Sequence, residues 1–113
     1  MNIDQILKEF NGAVTICDSQ GIIVYMNEAS KDLFKKDGGG QLIGKNVLDC
    51  HPEGSRSQLA NLLEEPRTNI YSVEKNSIHK LVHQSPWYRD GNFAGLIELV
   101  LEVPSQVPHF KRD

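Results

Sequence analysis

Two short stretches of this chain hold residue types able to do chemistry. In Cys50-His51-Pro52 a thiol and an imidazole stand side by side, and the proline restricts His51 to extended or turn backbone. A loop histidine or thiolate facing an apolar pocket can ligate haem iron. The same residues serve equally as packing and as loop hydrogen bonding, because a free cysteine behaves as a small hydrophobe. Neighbours in sequence usually point apart, so Cys50 and His51 make no catalytic dyad by spacing alone. His79 and His83 are four apart. On a helix they would share a metal; on a strand four residues span about 13 Å, so they share a face without meeting on one ion. Cys17 and Cys50 form no CxxC, and no Gly-x-Ser-x-Gly nucleophile elbow is present. These patterns point to a binding module rather than an enzyme, with no metal site built from side chains alone.

Such residues need a scaffold, and the apolar spacing describes one. The chain has 113 residues, 39% apolar and 24% charged, with 12 basic against 15 acidic side chains and a net charge of −3. That is one ordinary globular domain, large enough for one core. The mildly acidic balance argues against a nucleic-acid partner, whose phosphates demand a basic face. No apolar run approaches the ~20 residues of a membrane span, and Met-Asn-Ile-Asp does not begin a signal peptide. Two widely spaced thiols in such a chain read as reduced and cytoplasmic.

Ile3, Ile6, Leu7 and Phe10 form a helical stripe over 1–10, expected to pack on its own domain or on a second copy. Strands at 13–18 and 22–26 are joined by Asp18-Ser19-Gln20-Gly21, a turn sequence. Asn27 reads as the cap of a helix that runs to about residue 36 and buries Ala29, Leu33 and Phe34. Asp37-Gly38-Gly39-Gly40 breaks that helix. It lacks the Gly-Lys-Ser/Thr of a phosphate loop and reads as a connector. Short helical turns surround Gly44. Ser55-x-x-Gln58 reads as a capping box opening a helix with Leu59, Leu62 and Leu63 on one face, stopped by Pro66. Strands follow at 68–74, 78–89 and 93–103, with Asp90-Gly91 as the hairpin between the last two. In the final strand Glu98 and Glu102 alternate with Ile97, Leu99, Leu101 and Val103, which assigns the apolar set to the core and the glutamates to water. Strands at both ends with helices between predict the α+β class, an antiparallel sheet covered on one face.

On Asp18-x-x-Gly21, Tyr25-x-Asn27-Glu28-Ala29, Leu42-Ile43-Gly44-Lys45-Asn46 and Tyr88-Arg89-Asp90-Gly91-x-x-x-Gly95, in that order, the chain resembles a PAS domain over nearly all of 1–103. Asp49-Cys50-His51-Pro52, with Ser55-Arg56 after it, is similar to a branch of small bacterial proteins in which this fold is nearly the whole chain. The resemblance implies a five-stranded antiparallel sheet with short helices over one face, an N-terminal helix at 1–11, the PAS domain at 12–103 and a tail at 104–113. It also implies a ligand pocket between helices and sheet. The role it implies is sensing or signalling, through an unknown small ligand, a homodimer or a partner protein. In that fold Leu33, Phe34, Leu42, Val47 and Leu48 would wall the pocket from the helices, and Ile97, Leu99 and Leu101 from the sheet. Cys50, His51 and His83 would be its polar groups. Two alternatives stay open: a haem-based redox or gas sensor ligated by His51 or Cys50, and a ligand-free scaffold or dimerisation domain. Flavin is not expected, because Val47 stands where the family's flavin photosensors carry a reactive cysteine.

Overall fold

The computed structural model describes residues 1–51 and 53–113, with Cys50 described by its backbone only. Helix α1 spans Ile3–Leu7 and opens on a capping box: the Asn2 side chain accepts from the Gln5 amide at 2.9 Å, and Gln5 Oε1 accepts from the Asn2 amide at 3.0 Å. It is about half the predicted length, and its stripe is covered only in part: Leu7 is half-buried. Ile3 is 67% and Ile6 56% exposed. Periodicity reports that a face is apolar, not that the same chain covers it.

Strands β1 (Ala13–Asp18) and β2 (Ile23–Met26) form the predicted hairpin. Asp18 Oδ1 accepts from the amides of Gln20 and Ile22, and Gly21 takes the left-handed conformation at φ +85° that the turn needs. Helix α2 (Glu28–Leu33) starts at Asn27 as expected but ends three residues early. The chain then tightens into 3₁₀ turns at Lys35–Asp37 and Gly39–Leu42. Leu33 consequently stays exposed and Phe34 half-buried, against the expectation that both are buried. A third 3₁₀ turn, Val47–Cys50, precedes helix α3 (Glu53–Glu64). Ser55 therefore lies inside the first turn of α3 and is not its cap. Leu59 and Leu62 are buried as predicted.

Strands β3 (Asn69–Lys75), β4 (Ile78–Arg89) and β5 (Asn92–Val103) complete a five-stranded antiparallel sheet of order β2-β1-β5-β4-β3. Asp90 and Gly91 both have positive φ, as do Asn76 and Ser77 between β3 and β4, the geometry of two-residue hairpin turns. The core joins Cys17, Ile23, Met26 and Leu96 from the sheet to Leu42, Val47, Leu59 and Leu62 from the cover. The cover sits over the β2-β1-β5 side. β3 is exposed along nearly its whole length.

One prediction about β5 is reversed. Leu96 and Glu98 face the helical cover, along with Thr15 and Cys17 of β1 and Gln84 of β4. Ile97, Leu99 and Leu101 point to the opposite face, where they pair with Ser85, His83 and Leu81. Leu96 and Val100 share the parity of the two glutamates, so both faces of this central strand are apolar. Glu98 tolerates the inner side because it has a hydrogen-bond partner there, and Glu102 lies at the exposed end of the strand.

Candidate functional site

Asn27 ties together the elements that carry the site. It is 1% exposed, and its side chain makes four hydrogen bonds. Oδ1 accepts from the amides of Val14 at 2.9 Å and Ser30 at 3.0 Å, while Nδ2 donates to the carbonyls of Leu7 at 3.0 Å and Gly12 at 2.9 Å. The start of β1, the start of α2 and the end of α1 are thus held by one residue. Beside it the Thr15 and Ser30 hydroxyls bond to each other, both buried.

Between the cover and the sheet, beside Phe34, lies a small cavity of about 20 Å³, room for about one water. Thr15, Cys17, Phe34, His51, Gln84 and Glu98 are among its walls. An open cleft of about 610 Å³ adjoins it over the uncovered part of the sheet, between Leu33 and Phe34 on one side and Tyr71, Val82 and Val100 on the other. Phe34, His51 and Glu98 border both spaces.

The polar groups at this junction are held in place. Asn69, Gln84 and Glu98 are cross-strand neighbours on β3, β4 and β5. Asn69 Nδ2 donates to Gln84 Oε1 at 2.9 Å, and Gln84 Nε2 donates to Glu98 Oε2 at 2.7 Å. His51 Nδ1 lies 2.8 Å from the Val47 carbonyl. A carbonyl only accepts, so that nitrogen carries the proton and a neutral ring presents Nε2 as an acceptor. Arg56 pins the same segment, with Nε donating to Leu48 O at 2.9 Å and Nη2 to His51 O at 3.3 Å. The Phe34 ring is tilted against the His51 ring at a centroid distance of 6.0 Å. Burial pushes the Cys17 thiol up from its ordinary pKa, with Asp18 and Glu98 adding to the effect and a backbone hydrogen bond from Leu96 opposing it. Burial, then Glu98, raises Tyr71 in the same direction.

The predicted site residues divide into three groups. Phe34, Leu42, Val47 and His51 border the cavity, Leu33 borders the cleft, and Leu48 packs against the core. His83 and Leu99 do not join them; they oppose each other on the outer face of the sheet. The Cys50 side chain and Pro52 lie outside the described residues. Thr15, Cys17, Gln84 and Glu98 are wall residues that the sequence reading missed. The signal for them was Leu96, Glu98 and Val100 on a single parity.

A family model described as the PAS fold matches residues 7–107. No curated protein matches the chain. Among solved structures, the PAS domain of BvgS from Bordetella pertussis superposes with a TM-score of 0.67 at 18% identity, covering 92% of this chain and 85% of that one. A sensory box sensor histidine kinase structure from Vibrio cholerae gives 0.65 at 21% identity, covering 92% and 90%. The Aer2 receptor from Vibrio cholerae, described as a dual PAS-heme oxygen sensor, gives 0.56 at 20% identity, covering 81% and 94%. At these identities the likenesses speak for the fold.

Proposed function

This chain belongs to the PAS-fold family, and on that premise we propose that it is a sensory or signalling module that binds a small organic ligand in the cleft beside α2. The observation that carries this reading is the shared border of cavity and cleft. There Phe34, His51 and Glu98 stand at the inner end of an otherwise largely apolar recess, the usual build of a small-molecule site. A ligand entering from the cleft displaces Phe34 and biases one packing of the 3₁₀ cover over another, a population shift. The output passes to a second copy or a partner protein. The exposed stripe of α1 and the outer-face residues Ile97, Leu99 and Leu101 support that role. The protein acts as a binding module, not a catalyst. A buried free thiol at Cys17 suits a reducing, cytoplasmic setting.

Haem fits these residues poorly. The cavity between cover and sheet has room for about one water, and the floor beside it carries the Glu98 carboxylate held by Gln84, where a porphyrin face needs an apolar wall. Native mass spectrometry and an absorption spectrum on protein purified from its host test both readings. The expected result is a small organic adduct and no Soret band. A Soret band lost in His51→Ala would overturn the ligand class. Cleft resonances that respond to no small molecule in an NMR screen would leave the ligand-free scaffold.

A further inference from the structure

The groups that fix the polarity of the cleft's inner end are acceptors. Glu98 spends one oxygen on Gln84 Nε2, and a carboxylate has about four lone-pair sites to offer. Gln84 has its carbonyl taken by Asn69. His51 turns its N–H toward the Val47 carbonyl, which leaves an acceptor nitrogen on the ring. One of the Thr15 and Ser30 hydroxyls donates to the other. The Tyr71 hydroxyl on the cleft wall can donate or accept, so it sets no preference. Lys75, Lys80 and Asp37 also border the cleft. Lys80 lies four residues along β4 from Gln84, about 13 Å. The register thus sets Lys75 and Lys80 toward the outer end of the cleft and Glu98 at its inner end.

Resting on the small-ligand reading above, we infer that the cleft selects a compact, flat ligand that supplies the hydrogen-bond donors: an amidinium, an aromatic ammonium or a protonated N–H heterocycle. Phe34, Tyr71, Val82 and Val100 give its faces apolar contact, and Glu98 takes its N–H groups through charge-assisted bonds. A ligand that places a carboxylate head group at the inner end meets the like charge of Glu98 and is disfavoured there.

The test is an NMR titration of the whole chain with three probes of one shape: benzamidinium, benzoate and toluene. Benzamidinium is expected to shift the resonances of Phe34, Tyr71 and Val82 with an affinity about tenfold or more above benzoate. Glu98→Gln, whose amide carbonyl can still accept from Gln84, should bring that ratio close to one and leave toluene binding unchanged. Glu98→Asp should keep the sign of the preference. Benzoate binding as well as benzamidinium, or a ratio unmoved by Glu98→Gln, overturns this inference and leaves the small-ligand reading standing, because the probes then occupy the cleft. If none of the three moves the cleft resonances, both fall.

Discussion

Asn27 carries more of the structure than a helix cap does. A cap alone is worth about 1 kcal/mol, but this side chain also bonds Val14, Leu7 and Gly12 while almost wholly buried. Asn27→Ala strands several buried backbone groups and should cost about 3 kcal/mol or more in urea denaturation. Asn27→Asp keeps the two bonds that Oδ1 accepts but turns a second acceptor oxygen onto the Leu7 and Gly12 carbonyls, so it should also destabilise the fold. Gly95 is a second single-residue requirement. A Cβ there would overlap the Cys17 carbonyl oxygen and come within 2.7 Å of Trp87 Nε1, the atom that donates to that same oxygen at 3.0 Å. Gly95→Ala should therefore destabilise by about 2 kcal/mol or more. The single tryptophan should report the loss as red-shifted emission.

Among the elements, strands were easier to read than helices. The β4–β5 hairpin was legible because Asp90-Gly91 is one of the few pairs that accept positive φ at both positions. The β1–β2 turn was legible because Asp18 and Gly21 have one obvious use each. The face of β5 was not legible: Leu96 and Val100 share a side with Glu98 and Glu102, and only a partner on another strand, Gln84, shows why a carboxylate may turn inward. The same parity assignment is what puts Leu99 in the predicted site, whereas Leu99 and His83 oppose each other on the outer face. The helices failed on extent for a different reason. Helix α2 ends in 3₁₀ tightening before the glycines, and α3 is already helical at Glu53, two residues ahead of its apparent cap. Helix α1 yields the prediction at this scale. Its stripe is exposed in the single chain, so Ile6→Ser with Phe10→Ser should leave the melting temperature nearly unchanged at low protein concentration. Sedimentation at high concentration should shift toward the monomer. A sedimentation profile that does not move would refute the role of this helix in assembly.

At the scale of the whole molecule, the groups with displaced pKa values among the described residues agree in direction. Cys17, Tyr25 and Tyr71 are all pushed up, burial being the first cause in each. The folded state therefore keeps these protons at a pH where the unfolded chain releases them. Their contribution to stability is complete below the ordinary values and declines above them. Urea midpoints should hold steady through neutral pH and fall from about pH 9, the ordinary thiol value of 9.0. In Cys17→Ala the fall should begin nearer 10, where tyrosines ordinarily ionise. The strand order has a separate consequence, for synthesis. β5 lies between β1 and β4, and Ala13 pairs with Val100. The strand made first has no central neighbour until the strand made last leaves the ribosome, and a lone β1–β2 hairpin is at best marginally stable. Val14, Cys17 and the other core residues of β1 must therefore wait in the nascent chain, unfolded and open to chaperones, until β5 has been translated.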